Sequence, residues 1–192
     1  MTENRVHPSP CSGKVGGSQR AYDAATPSLR NELEPPPGGL DRLLVEVSRA
    51  PQRYAPFYDD LRELFQVEEA QLEHELGKTT FYPTLLPGAR MRRVALGPSL
   101  AHCRGYLTRF APGLRFPRHS HRGTERFLVL EGGFVDDTGR RYVAGDMCIM
   151  QPGSEHAIEI DNDGVCVSAL VLTAPLSFQS PVLRILSRLF EW

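Results

Sequence analysis

From residue 81 onward the chain consists of short runs of β-forming residues, each ended by proline or glycine. The runs cover residues 91–96, 103–110, 126–130, 142–143, 147–150, 157–160 and 165–172. Short strands at this spacing are typical of antiparallel sandwiches and barrels. The sequence DDTG at 136–139 separates two of the runs and indicates a hairpin, because Asp and Gly favour tight turns. We therefore expect a mainly β domain.

Three histidines and one glutamate lie in a pattern that suits a metal ion. His119 and His121 are two residues apart, Glu125 follows four residues later, and His156 completes the set. In an extended strand successive side chains point to opposite faces, so His119 and His121 project the same way with roughly 6 to 7 Å between their Cα atoms. The four side chains can supply three imidazoles and one carboxylate to one cation. A lone histidine is usually an ordinary core or surface residue, whereas four ligand-type residues at this spacing favour a metal site.

This ligand set does not select one metal. Imidazole suits zinc, iron, nickel and copper. The carboxylate adds charge and also leaves room for hard cations such as manganese. The identity of the metal stays open at this point.

The same residues carry a resemblance to the cupin superfamily. The pattern Gly113-x5-His119-x-His121-x3-Glu125-x6-Gly132 is similar to the first cupin motif, and Gly145-x5-Gln151-x-Gly153-x2-His156 resembles the second. Gln151, where cupins commonly have proline, and Ile160, where asparagine is common, depart from the pattern, but neither is a ligand position. The resemblance implies a cupin double-stranded β-helix, or jelly roll, with a metal bound by His119, His121, Glu125 and His156.

Further stretches resemble one branch of the cupins, the cupin domain of ChrR-type anti-sigma factors, over about residues 81–174. They read LPGAR at 86–90, RFAPG at 109–113, PRHSHRGTE at 117–125, LVLEGGFVD at 128–136 and PGS at 152–154. The resemblance implies a zinc-binding regulatory domain that responds to oxidative stress, beside a separate N-terminal helical domain that binds a sigma factor. We therefore expect one divalent metal ion, with zinc favoured and iron or manganese as alternatives.

The N-terminal half of that family pattern is incomplete in this chain. The helical domain of the family carries a zinc site of the form His-x3-Cys-x2-Cys. Here His7 and Cys11 are followed by no second cysteine at that spacing. Because a closed zinc site needs four ligands, we assign no metal to this pair.

The chain divides into four predicted segments. In residues 1–39, 15 residues are Pro, Gly or Ser and apolar periodicity is absent, which predicts a disordered tail. Apolar residues at helical spacing predict a helical module over 40–80, which serves either as a docking module or as a lid on the barrel. Its two stripes are Leu40, Leu43, Leu44 and Val47, then Leu61, Leu64, Phe65, Leu72 and Leu76, with Gly77 as the C-cap. The cupin domain follows over 81–175, and residues 176–192 form a C-terminal helix with Ser180 and Pro181 at its start.

The balance of charge limits the expected partners and location. The chain has 22 basic and 23 acidic residues and a net charge of −1, which argues against binding nucleic acid by neutralising phosphates. No apolar run reaches the length of a signal-peptide core or of a membrane span of about 18 residues. We therefore expect a cytoplasmic protein with no membrane or nucleic-acid partner.

Three classes of function fit these expectations. The resemblance favours a metal-binding sensor or regulator, in which an effector or oxidant alters the metal ligands. The second class is an enzyme, a small iron dioxygenase with open metal positions for substrate and O₂. The third is a small-molecule binding or isomerase cupin whose metal polarises a carbonyl. The expected partners are a sigma factor or another protein bound through residues 40–80, a small-molecule ligand in the barrel, and a second copy of the chain in a homodimer.

Overall fold

The computed structural model describes residues 53–179. Four sequence predictions lie outside the described residues. They are the tail over 1–39, the stripe from Leu40 to Val47, the pair His7 and Cys11, and residues 180–192 of the helix predicted over 176–192. The helical stripe from Leu61 to Leu76 and the β domain lie inside them.

Two α-helices precede eleven β-strands within residues 53–179. The helices are α1 (Tyr58–Phe65) and α2 (Glu69–Gly77), and short 3₁₀ turns occupy Ala55–Phe57 and Pro98–Leu100. The strands are β1 (Tyr82–Pro83), β2 (Ala89–Val94), β3 (Arg104–Phe110), β4 (Arg115–His121), β5 (Glu125–Glu131), β6 (Gly133–Asp136), β7 (Arg141–Val143), β8 (Met147–Met150), β9 (Glu155–Ile160), β10 (Cys166–Leu172) and β11 (Leu176–Phe178). Neither of these two helices is long and apolar enough to cross a membrane.

The strands form two antiparallel sheets. The larger sheet has the order β1-β2-β3-β10-β5-β8, and the smaller sheet has the order β11-β4-β9-β6-β7. From β3 onward the chain passes repeatedly from one sheet to the other, so strands distant in sequence become neighbours. This arrangement confirms the predicted mainly β, cupin-like jelly roll.

The two helices cover the outer face of the larger sheet. Leu61, Leu64 and Phe65 of α1 are completely buried, and α1 packs against β5 and β10. The apolar cluster also includes Leu72 and Leu76 of α2. The larger sheet contributes to this cluster Val94, Leu107, Leu128, Leu130, Val167, Ala169 and Val171. The predicted apolar stripe of 61–76 is therefore confirmed, and it faces the protein's own sheet.

The helix ends differ from the sequence prediction. Gly77 is the last residue of α2, and the C-cap is Lys78 in an extended conformation. The left-handed conformation expected at a helix end occurs instead at Gln66 after α1, with φ 55°. The predicted C-cap at Gly77 was wrong, because α2 leads directly into the extended backbone that precedes β1.

Several strands were missed or misplaced by the sequence runs. β4 and β6 lie outside the predicted runs, since β4 is mostly polar and contains Pro117 and β6 begins with glycine. Leu176–Phe178 form β11, which pairs with β4, although the sequence placed these residues in the C-terminal helix. A stretch of three residues carries no pattern that distinguishes a short strand from the extended residues that precede a helix.

The predicted hairpin around 136–139 is confirmed. Strands β6 and β7 pair as antiparallel neighbours on either side of it. The Asp136 carboxylate accepts hydrogen bonds from the backbone N–H groups of Thr138 and Arg140, at 2.9 and 3.0 Å. Gly139 has φ 85°, a conformation that glycine adopts without steric cost.

Candidate metal centre

Three strands bring the predicted ligands together inside the barrel. His119 and His121 lie on β4, Glu125 begins β5, and His156 lies on β9. Strand β4 pairs with β9 so that His119 and His156 are direct cross-strand partners. The pairing of β4 with β9 thus brings together two imidazoles that are thirty-seven residues apart in the sequence.

The four side chains form one buried cluster. Ring nitrogens of the three histidines and a carboxylate oxygen of Glu125 all lie within 4.8 Å of one another. The residues are between 2% and 7% exposed. The arrangement of three imidazoles and one carboxylate in a protected position is a possible metal-binding site.

Backbone oxygens orient two of the imidazoles. His119 Nδ1 lies 3.0 Å from the carbonyl oxygen of Pro117, and His121 Nδ1 lies 3.1 Å from that of Ser154. Because a carbonyl oxygen can only accept, each Nδ1 carries the hydrogen and donates it. In the neutral ring, Nε2 then keeps a free lone pair. Both lone pairs are available to a cation, as in histidine ligands held by an outer hydrogen bond.

The serine hydroxyl adds a second contact to His121. Ser154 Oγ lies 3.0 Å from His121 Nδ1 and 2.6 Å from the carbonyl oxygen of Gln151. The hydroxyl donates to Gln151, so it accepts from the imidazole. Ser154 therefore supports the same tautomer of His121 with two acceptors.

Electron-rich atoms face each other across the cluster. His121 Nε2 lies 2.7 Å from Glu125 Oε2, and His119 Nε2 lies 3.0 Å from His156 Nε2. Two acceptors at such distances need a proton or a cation between them. The donor set and its orientation fit a divalent metal ion, which three imidazoles and one carboxylate would hold.

Burial keeps two of the histidines uncharged. It lowers the pKa of His119 to about 4, and the neighbouring Glu125 carboxylate only partly opposes this effect. Burial also lowers the pKa of His156 to about 4, with a smaller contribution from His121. At neutral pH these two imidazoles are neutral, which is the form that binds metal.

A cavity of about 70 Å³ adjoins the cluster between the sheets. His119, Glu125 and His156 line the end of the cavity beside the cluster. The rest of its lining is Thr84, Arg90, Met91, Tyr106, Thr108, Phe110, Phe116, Phe127, Phe134, Ile158, Ser168, Leu170, Leu172 and Leu176. Phe127 and Ile158 belong to its apolar wall, whereas Val129 is fully buried in the core beside it.

Sequence reasoning missed the residues that surround the four ligand-type side chains. Pro117 and Ser154 orient two rings, and Phe116 packs edge-on against His119 at 5.1 Å between ring centres. Phe178, placed in the helical segment by the sequence, lies 5.9 Å from His119. No spacing rule connects 178 with 119, because the contact depends on the pairing of β11 with β4.

Comparison with known proteins identifies the family of this chain. A family model described as the ChrR cupin-like domain matches residues 71–174. The chain belongs to the ChrR cupin-like family. A curated relative, anti-sigma-E factor ChrR of Cereibacter sphaeroides, is 30% identical over 187 residues. The match covers 94% of this chain and 82% of that ChrR, so the chain is a ChrR homologue over most of both lengths.

Solved structures with similar folds include a crystal structure of Rhodobacter sphaeroides SigE in complex with the anti-sigma ChrR. It is 23% identical, with a TM-score of 0.46, and the match covers 80% of this chain and 72% of that one. A protein of unknown function with a cupin-like fold from Ralstonia eutropha JMP134 is 22% identical with a TM-score of 0.43. That match covers 50% of this chain and spans 60% of the other, less than two thirds of its length.

Proposed function

We propose that this ChrR homologue is a zinc-dependent regulator that binds a sigma factor. The observation that carries the proposal is the 30% identity to an anti-sigma-E factor over 94% of the chain. A match of that extent includes the helices as well as the barrel. The buried His/Glu cluster supplies the metal-dependent part of the proposal.

The metal ligands in this proposal are His119, His121, Glu125 and His156. Their support is the fixed tautomer of His119 and His121 and the close approach of electron-rich atoms. Zinc is favoured because it accepts mixed nitrogen and oxygen ligands, and its d electrons impose no preferred coordination geometry. Iron and manganese are the alternatives, and elemental analysis of protein purified without chelator distinguishes the three.

The polar faces of α1 and α2 are the proposed sigma-factor surface. Their apolar faces are buried against the larger sheet, whereas Asp59, Asp60, Glu69 and Glu73 are exposed. The pKa of Asp60 is raised, first by partial burial and then by the neighbouring carboxylates of Glu63 and Asp59. Sigma factors bind DNA, whose phosphates require a basic surface. A negative helical face is complementary to such a surface.

Point substitutions test this surface better than deletion of the helical module. Deleting α1 and α2 would expose Leu107, Leu128 and the other apolar residues that they cover, and the barrel would lose part of its core. Asp59→Lys combined with Glu73→Lys reverses charge at exposed positions and leaves the packing unchanged. We expect this double variant to weaken binding to the purified cognate sigma factor, and the wild-type affinity to fall as salt rises.

A matched variant controls for the change in net charge. Glu159→Lys with Asp163→Lys adds the same charge at exposed positions on or beside β9, in the other sheet. This control should bind the sigma factor as the wild type does. Equal loss of binding in both double variants would reject the helical face as the interface, and absence of any sigma-factor complex with the wild type would reject the proposed function.

The cavity beside the cluster favours a second candidate function, a small iron dioxygenase. Such an enzyme needs a metal with open positions next to a space from which water is excluded. His119, Glu125 and His156 line that space. Near-stoichiometric iron in protein purified anaerobically, with oxygen uptake that His121→Ala abolishes, would support this candidate over the regulator.

A further inference from the structure

A groove runs across the outer face of the smaller sheet. Its volume is about 730 Å³, and strands β4, β6 and β9 form its floor. Phe134 on β6 and His156 on β9 point into the barrel. Their neighbours Val135 and Ala157 point outward and line the groove, because side chains alternate along a strand. The groove therefore lies on the side of this sheet opposite to the buried cluster.

The floor of the groove is apolar and only half-buried. Pro117, Val135 and Ala157 keep part of their surface in water. On the larger sheet the corresponding outer face is covered, since α1 and α2 pack there. A second layer over the groove would remove the apolar floor from water, which is favourable.

The rim of the groove is rich in carboxylates. Those that are exposed or half-buried belong to Asp137, Glu159, Asp161 and Asp163. Three of them pair with arginines of the same sheet. Asp163 is exposed and has no ion-pair partner among residues 53–179. Basic side chains of a covering segment would therefore meet a rim of complementary charge.

The last described strand leads to this groove. β11 runs antiparallel to β4, so after Phe178, which lies opposite His119, the chain heads toward Arg115 at the start of β4. Arg115 and Pro117 line the groove. Residues 180–192 therefore follow at the point where the groove begins.

The length of this segment matches the width of the groove. Its thirteen residues would extend about 20 Å as a helix, at about 1.5 Å per residue. The distance from β4 across β9 and β6 to β7 is about 14 Å, at about 4.8 Å between neighbouring strands. One helix of this length can cross all four strands.

The sequence of the segment predicts an amphipathic helix. At helical spacing its apolar residues share one side, and they are Val182, Leu183, Ile185, Leu186, Leu189, Phe190 and Trp192. The other side has Arg184, Ser187, Arg188 and Glu191. The apolar side matches the floor of the groove, and the two arginines match the carboxylates of its rim. A helix this short is only marginally stable alone in water, so its apolar side requires a surface on which to pack.

We propose that residues 180–192 form a helix that fills this groove within the same chain. The apolar side of the helix packs on Pro117, Val135 and Ala157, and its two arginines lie beside the carboxylates of the rim. The barrel thus has a helical layer outside each sheet, with α1 and α2 on the larger one and this segment on the smaller one. The inference does not depend on the metal or on the sigma factor.

Trp192 reports on this contact, because it is the one tryptophan in the sequence. In the folded full chain its emission should lie at shorter wavelength, and its quenching by acrylamide should be several-fold weaker, than in the urea-unfolded protein. Both values should stay constant on dilution, because the contact lies within one chain. Equal quenching in the folded and unfolded protein would overturn the proposal. Protection that falls on dilution, together with a dimer in analytical ultracentrifugation, would assign the groove to a second copy and also overturn it.

Two valine substitutions locate the contact. Val135→Arg places a charged side chain on the floor of the groove and should remove the protection of Trp192. Val143→Arg makes the same change at a 43% exposed position on the same face of the same sheet, where the residue does not line the groove. This control should keep the protection. Equal quenching of Trp192 in the two variants would overturn the proposal.

A cross-link tests the same contact without changing the sheet. Ser187→Lys adds an amine to the polar side of the segment and keeps its apolar side. A zero-length carbodiimide should then join this amine to the carboxylates of the rim within one chain. Leu186→Lys interrupts the apolar side and should give several-fold less of this product.

Peptide mass spectrometry identifies the joined residues. Cross-links from Ser187→Lys only to carboxylates of α1 and α2 would overturn the proposal, and so would equal yields from Ser187→Lys and Leu186→Lys. Because both variants leave the sheet unchanged, the cross-link decides the proposal even if Val135→Arg does not fold.

Discussion

Glu75 on α2 and Arg92 on β2 form an ion pair inside the protein. Glu75 Oε2 lies 3.3 Å from Arg92 Nη1, and the two side chains are only 4% and 6% exposed. Lys78 Nζ lies 2.6 Å from the other carboxylate oxygen, and the Arg92 guanidinium lies 5.6 Å from the ring of Phe81. These contacts attach α2 to the edge of the larger sheet.

Removing the carboxylate of this pair should destabilise the domain strongly. Glu75→Ala leaves a buried guanidinium without its charged partner, and we expect the free energy of unfolding to fall by about 3–5 kcal/mol. Glu73→Ala, at an exposed position of the same helix, should change it by less than about 0.5 kcal/mol. Urea denaturation of the three proteins measures the difference, and similar midpoints for both variants would show that the pair contributes no stability.

Metal binding should depend on the cluster and should stabilise the fold. Zinc at one hundred times its dissociation constant should raise the free energy of unfolding of the wild type by about 2.7 kcal/mol. His121→Ala should lose both this increase and most of the bound zinc, because it removes one of four ligands. His102→Ala changes an exposed histidine outside the cluster and should retain both. Elemental analysis and thermal unfolding with and without zinc check the prediction, and unchanged zinc in His121→Ala would contradict the site.

The hydroxyl of Ser154 should tune metal affinity without being a ligand. Ser154→Ala removes one of the two acceptors of His121 Nδ1 and leaves the carbonyl oxygen in place. Loss of such outer contacts typically lowers metal affinity by about 10–100-fold, and we expect the lower end of this range. Competition with a chromogenic chelator measures the affinity. Ser99→Ala, at an exposed position, is the control and should bind the metal with the same affinity as the wild type.

Cys166 should be chemically inert in the folded protein. Burial raises the pKa of its thiol to about 11, so at pH 8 almost none of it is the reactive thiolate. Iodoacetamide should therefore modify the half-buried Cys103 and leave Cys166 unmodified until the protein is unfolded. Peptide mass spectrometry after timed alkylation measures how much of each cysteine is modified. Labelling of Cys166 should increase as the pH is raised toward 11, and rapid labelling at pH 8 would show that the strand opens readily.

The sequence predicts the four residues of the buried cluster better than the residues around them. Strand parity relates His119 and His121, the resemblance to the two cupin motifs adds Glu125 and His156, and the structure brings all four together. Contacts made by the pairing of distant strands, such as Phe178 against His119, leave no local pattern.

In the fold too, features that depend on local spacing were predictable, and features that depend on distant residues were not. The apolar stripe of 61–76 indicated two helices, since helical spacing is local. Glu75 lies among charged residues of α2 and looks like part of a solvated face, and only the position of Arg92 on β2 explains its burial. β1 was missed because two residues that include Pro83 carry almost no strand signal.

Strand β10 lies at the middle of the larger sheet, between β3 and β5, although it is the last long strand of the described chain. The ribosome therefore completes residues 104–131 well before their shared partner, and until Cys166–Leu172 emerge both strands present unpaired backbone groups. Exposed strand edges of this kind invite association with other chains. Formation of the barrel depends on contacts of high sequence separation, which makes folding slow relative to a helical bundle of this length. A newly synthesised copy of this protein thus remains vulnerable to aggregation until nearly the whole domain has left the ribosome.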